Sequence, residues 1–130
     1  LTKEPVLSVF CTITEDGKPW GRYVMIHGQE DLMMRFATFV NARKVLQIKN
    51  NPEMHLACGV TDPMQDSSYI QVQGKAHLLT NKETRHGFWT DMMGQYFKGP
   101  DDPNYAVVEI KPYRIECWTH GSFEPKIWKG

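Results

Sequence analysis

A mostly β protein, built as a small closed or nearly closed antiparallel barrel with short helices, is what this sequence predicts. Three observations carry that expectation. Runs of β-branched and apolar residues are punctuated by turn signals, Glu15-Asp16-Gly17-Lys18 and Gly28-Gln29-Glu30-Asp31 among them. The element order, β-β-β-α-β-β-α-β-β, contains no repeated βαβ unit, so antiparallel hairpins with short inserted helices must close on themselves. At 130 residues the chain suffices for one domain with a real core and is too short for two, so residues 1–130 read as a single domain.

The elements follow in order. Val6 to Thr14 and Trp20 to Ile26 flank the first turn, and Leu32 to Phe39 returns as a third strand. Asn41 is a natural N-cap, so a helix is expected from Ala42, with Val45, Ile48 and Leu46 as its apolar face. Asn50-Asn51-Pro52 stops it, because Asn accepts left-handed geometry and Pro cannot propagate a helix. Met54 to Val60 is a strand, Thr61-Asp62-Pro63 a loop, and Ser68 to Leu79 a longer strand in which Gly74 marks a bulge or bend. Thr80-Asn81-Lys82-Glu83 reads as a capping box opening a second helix near Asn81. Phe88, Trp89, Met92, Met93, Tyr96 and Phe97 give that helix a core-facing stripe, weakened by Gly87 and Gly94. After the loop Gly99-Pro100-Asp101-Asp102-Pro103-Asn104, strands Tyr105 to Ile110 and Tyr113 to Thr119 are expected to hinge at Lys111-Pro112.

Composition narrows the function. Fifteen basic and fifteen acidic side chains balance to zero, which argues against a nucleic-acid binder working through bulk electrostatics. Apolar runs are too short to span a membrane, and the start carries no signal-peptide pattern, so a cytoplasmic location is expected. The chain opens on Leu1 without an initiator Met, and native sequence is expected to precede it. Cys11, Cys58 and Cys117 lie in apolar strands and read as buried structural thiols. Neither CxxC nor a His pair at ligand spacing supports a zinc site. Asp101 and Asp102 read as a solvated turn and cap.

The chemical hint lies at the first helix. Its N-terminal end carries partial positive charge, yet its first turn holds Arg43 and Lys44, which cost about a few tenths of a kcal/mol each when unpaired. Free backbone N–H groups plus two cations, following a strand, make a seat for a dianionic phosphate. The alternative is that neighbouring carboxylates neutralise both. Arg22 adds weight, because alternation puts it on one sheet face with Val24 and Ile26, an odd place for a charge unless an anion sits beside it.

Gly21-Arg22-Tyr23-Val24-Met25-Ile26, Phe36-Ala37-Thr38, Ala42-Arg43-Lys44 and Gln47-Ile48-Lys49-Asn50-Asn51-Pro52 resemble the FMN-binding split-barrel superfamily of pyridoxamine 5′-phosphate oxidase. The loop Gly99-Pro100-Asp101-Asp102-Pro103 and the segment Ile115-Glu116-Cys117-Trp118 are most similar to its general stress protein 26 branch. The resemblance implies a homodimer of six-stranded antiparallel split barrels with FMN between the subunits. It implies that Arg22, Arg43 and Lys44 approach the FMN phosphate, with a hydroxyl or backbone contact from Thr38. The backbone of Tyr23, Val24 and Met25 would run along the flavin ring, with Ala37 beside the cofactor and Trp118 reaching it from the partner chain. An oxidoreductase with an unassigned substrate is then the expected class. The rivals are a non-catalytic flavin carrier or sensor and a reductase using deazaflavin F420.

Departures from the oxidase pattern fall at its substrate end. His27 stands where the oxidase has lysine, Ala37 where it has tyrosine, and Tyr69 where a glutamine contacts its flavin. The segment Thr119 to Lys126 lacks the arginine with which the oxidase holds its phosphorylated substrate. Authentic pyridoxamine 5′-phosphate oxidase activity is therefore not expected. His27, His120 and Tyr69 are the side chains expected near the ring.

Overall fold

A computed structural model describes residues 5–59, 68–119 and 123–130. Seven antiparallel strands run in the order β3-β2-β1-β4-β5-β6-β7, and pairing of β3 with β6 closes six of them into a barrel. The strands are β1 (Val6–Ile13), β2 (Pro19–Gly28), β3 (Met34–Phe39), β4 (Glu53–Cys58), β5 (Tyr69–Leu79), β6 (Tyr105–Trp118) and β7 (Lys126–Lys129). Helix α1 (Arg43–Asn50) follows β3, and α2 (Lys82–Phe88) precedes a 3-10 turn at Asp91–Gln95.

Alternation decides which residues fill the barrel. Phe10, Val24, Ile26, Met34, Phe36, Leu56, Val72, Ala76, Val108 and Ile110 point inward with Ile48 of α1 as one buried cluster. A second cluster, of Phe88, Met93, Phe97, Tyr105 and Val107, seals the outside of β3 and β6. Burying two such clusters supplies most of the driving force for folding, at about 25 cal/mol per Å² of apolar surface.

The first turn forms as expected: Gly17 takes a φ of 79°, and the Thr14 N–H donates to the Lys18 carbonyl at 2.8 Å. The second turn runs longer than expected. Leu32 is not the start of a strand but sits in the left-handed region at φ 67°, while the Gln29 N–H donates to the Met33 carbonyl. At the end of β4, Gly59 has left the strand, and Val60, with the loop at Thr61-Asp62-Pro63, lies outside the described residues.

Three other expectations need correction. The last two strands are one: β6 runs unbroken through Lys111-Pro112, and the irregularity there is a bulge, because its register against β5 passes from Gly74↔Pro112 to Gln73↔Arg114 and leaves Tyr113 as the extra residue. A Cβ on Gly74 would stand 2.6 Å from the Lys111 carbonyl oxygen, so only glycine lets the two backbones approach there. The long second helix is broken. Asn81 caps α2 by accepting from the Thr84 N–H at 2.8 Å, but Trp89 turns extended after Gly87 and Phe88. Phe88, Met93 and Phe97 are consequently buried, while Met92 and Tyr96 face solvent. The cysteines are also less buried than expected: Cys11 and Cys58 are half-buried and Cys117 is exposed, beyond the last core residue of its strand face, Ile115. Strand β7, with all four side chains exposed, was not foreseen.

Among the described residues no group of three His, Cys, Asp or Glu is placed to hold a metal, and no helix is long and apolar enough to cross a membrane. Asp101 and Asp102 do serve the loop. Asp102 accepts from the Lys98 and Asn104 N–H groups at 2.9 Å each, and Asp101 pairs with His86 at 2.6 Å.

Candidate functional site

The barrel is incompletely laced. Strand β2 pairs with β1 from Pro19 to Ile26, but with β3 only at His27↔Arg35 and Gly28↔Met34. From Phe36 to Phe39, β3 pairs with β6 alone. Between Arg22–Ile26 and Phe36–Phe39 two strand edges therefore diverge, and backbone groups of β2 along the opening have no strand partner. Such edges can hydrogen-bond a planar heterocycle. The split closes at His27 and opens toward α1.

That mouth is held by backbone contacts. The Val40 N–H donates to the Asn104 carbonyl at 2.9 Å and the Ala42 N–H to the Phe39 carbonyl at 3.0 Å, which fixes where α1 begins. Its N-cap is Ala42, not Asn41, and the helix starts one residue later than expected. Ala42 has no side chain to offer, so no side-chain cap bond and no acidic residue serve the first turn. The apolar face also differs from expectation: Leu46 is exposed, while Gln47 is buried.

Gln47 explains the exchange. Its side-chain oxygen accepts from Arg22 Nη2 at 2.8 Å and from the Thr12 hydroxyl, and Arg22 Nη1 donates to the Phe10 carbonyl at 3.1 Å. The Arg22 guanidinium also lies 5.7 Å from the Phe10 ring centre. All its acceptors are neutral, so its charge stays uncompensated. Burial lowers the Arg22 pKa, with the Arg43 charge acting in the same direction. Burial likewise lowers the Lys44 pKa, and the Arg22 charge adds to it. Arg43 stacks over Trp20 at 5.8 Å.

Among the described residues the ion pairs are Arg35–Glu109, His86–Asp101 and Arg114–Glu116, none of which involves Arg22, Arg43 or Lys44. Carboxylates do stand nearby. Glu15 and Asp16 share with Arg43, Trp20 and Gln47 a cavity of about 320 Å³. The Thr14 hydroxyl donates to Asp16 at 2.6 Å and holds its pKa low, so that carboxylate is engaged within its own turn. The mouth thus keeps three mutually repelling cations at an uncapped helix start, an arrangement that favours an anion.

Arg22, Arg43 and Lys44 are brought together, with Gln47 and Thr12 as positioning partners that sequence reading missed. A glutamine on the helix face carrying Val45 and Ile48 was the signal available. Thr38 is buried on the inner face of β3, its hydroxyl donating to the Phe39 carbonyl at 3.3 Å. Ala37 faces the other way, half-buried against the second cluster. Val24 points into the core, whereas Tyr23 and Met25 are exposed beside Leu7. Trp118 lies at the end of β6 remote from Tyr105, the residue that pairs with Phe39 near the mouth. It stacks on Tyr69 with ring centres 6.2 Å apart, and its buried Nε1 has no partner among the described residues. His120 lies outside the described residues.

Residues 1–119 match the family described as pyridoxamine 5′-phosphate oxidase. The chain belongs to that family. Within it, general stress protein 26 of Bacillus subtilis (strain 168) is 31% identical over 111 residues, covering 85% of this chain and 79% of that protein. The crystal structure of general stress protein 26 from Bacillus anthracis str. Sterne superposes with a TM-score of 0.81 at 27% identity, over 97% of this chain and 90% of that one. A pyridoxamine 5′-phosphate oxidase-related, FMN binding protein from Nostoc punctiforme PCC 73102 shares the fold, with a TM-score of 0.74 at 15% identity over 94% of this chain and 79% of that one.

Proposed function

We propose that this chain binds FMN in the split between β2 and β3 and acts as an FMN-dependent oxidoreductase of the general stress protein type. The observation that carries the reading is the cluster of Arg22, Arg43 and Lys44 without a carboxylate partner among the described residues, at an uncapped helix start facing two open strand edges. Arg22, Arg43, Lys44 and the first-turn N–H groups would hold the phosphate, with Thr38 beside them. The β2 backbone from Tyr23 through Val24 to Met25 and the edge at Ala37 would flank the ring. When bound, FMN supplies two-electron or hydride chemistry, and the protein's part is to bind it, orient it and exclude water.

A homodimer is part of the same proposal. Leu7, Tyr23 and Met25 expose 59%, 72% and 48% of their surface on one outer face, an apolar stripe suited to a second copy. Trp118, remote from the mouth of its own chain, would then complete the site from the partner.

The purified protein is expected to show flavin absorbance, with FMN identified by mass after heat release, and its flavin is expected to be reduced anaerobically by NADH or NADPH. A deazaflavin spectrum, or failure to take up FMN at saturation, would overturn the cofactor assignment. Bound FMN that no small redox partner reduces or oxidises would leave a carrier.

A further inference from the structure

The cation seat opens sideways into a cavity that a phosphate alone does not fill. Its volume is about 320 Å³, at the small end of ligand pockets, and it lies between the β1–β2 turn and the first turn of α1. Arg43 and Gln47 belong to both the seat and the cavity. The direction of the Gln47 amide is fixed by its partners. Arg22 can only donate, so the amide oxygen faces it at 2.8 Å, and the Thr12 hydroxyl donates to the same oxygen. The amide NH2 group points away from both and bonds no described residue, which leaves a donor for the cavity that Gln47 borders. Trp20 is 49% exposed, with the Arg43 guanidinium 5.8 Å from its ring, and Leu46 is 53% exposed beside it. Two large apolar side chains left in solvent next to a cation seat make a surface on which a flat group can stack. Glu15 and Asp16 add carboxylate acceptors, Asp16 keeping lone pairs free although it takes the Thr14 hydroxyl at 2.6 Å.

We propose that this cavity takes the nucleoside half of a flavin dinucleotide, so that the split accepts FAD as well as FMN. The proposal rests on the flavin reading above and deepens it by assigning what lies beyond the first phosphate. Each part of the extension has a match on the cavity wall. Arg43 and the Gln47 NH2 group suit the second phosphate, and Trp20 with Leu46 suits the flat face of the adenine. Glu15 and Asp16 accept from the adenine amino group and the ribose hydroxyls. An acidic tail past the phosphate would instead meet those two carboxylates as like charges, which disfavours it.

The test titrates the wild-type protein, Trp20→Ala and Trp20→Phe with FMN and with FAD. In the wild type FAD is expected to bind about tenfold tighter than FMN, as one stacked base provides. Trp20→Ala is expected to abolish that difference, and Trp20→Phe, which keeps an aromatic face, to retain most of it. A second measurement displaces bound FMN from the wild type with adenosine diphosphate or with inorganic pyrophosphate, and so does not depend on either variant folding. Adenosine diphosphate is expected to act at about tenfold lower concentration, because only it carries a base to stack. FAD binding no tighter than FMN, a preference for FAD that survives Trp20→Ala, or adenosine diphosphate no better than pyrophosphate would each overturn the proposal while leaving FMN in the split. If the wild type binds neither flavin, the flavin reading itself fails, and the assignment of the cavity falls with it.

Discussion

Replacing Arg43 and Lys44 together with alanine is expected to weaken FMN binding by about two to four orders of magnitude. Each would contribute a hydrogen bond to a charged group worth roughly 1.5–3 kcal/mol, and about 1.4 kcal/mol is a factor of ten. The unliganded protein should behave in the opposite way. Burial and the neighbouring Arg22 lower the Lys44 pKa, which means that the folded state disfavours its charge. Removing it relieves repulsion, so urea unfolding of the apoprotein should show undiminished or slightly increased stability. The pairing of lost affinity with retained stability separates a binding cluster from a structural one. A flavin titration unchanged in the double variant would remove the phosphate seat.

Phe10→Ala is expected to cost about 3–5 kcal/mol of stability, in the range for emptying a buried aromatic site. Phe10 has no exposed surface, and its ring meets Phe36 edge-on at 5.0 Å. The same ring lies beneath the Arg22 guanidinium, and the Phe10 carbonyl accepts from it, so the cavity would also loosen Arg22. The unfolding midpoint in urea should fall accordingly, and Phe10→Leu should recover a large part of the loss. A shift below about 1 kcal/mol would mean that the barrel interior is not organised around this ring.

Most of the barrel could be read from local signals. The Glu15-to-Lys18 turn, the irregularity at Gly74 and the start of α2 near Asn81 each rest on a few neighbouring residues whose chemistry leaves little choice. Errors arose where the deciding contact is remote in sequence. Pro112 reads as a hinge in the sequence, whereas the ladder with β5 keeps β6 continuous through it and confines the irregularity to a bulge at Tyr113. The stripe from Phe88 to Phe97 looked continuous because its break at Trp89 is stabilised by packing against β3 and β6 rather than by helix propensity. Leu46 and Gln47 exchanged roles because an apolar count ignores a buried arginine on another strand that needs an acceptor.

The site was half visible. Arg43 and Lys44 drew notice as cations at the wrong end of a helix, and Arg22 as a charge on an inward face. The split itself is a property of register: β2 and β3 are joined at two residue pairs and diverge thereafter, which no residue type in either strand announces.

If the mouth grips a phosphate, FMN and riboflavin, the same ring system without the phosphate, must differ in affinity, and parallel titrations of the wild-type protein measure that difference. FMN should bind tighter by at least about two orders of magnitude, as two or more charge-assisted hydrogen bonds require. Raising the salt concentration should narrow that gap. Equal affinities for the two, or binding of neither, would contradict it.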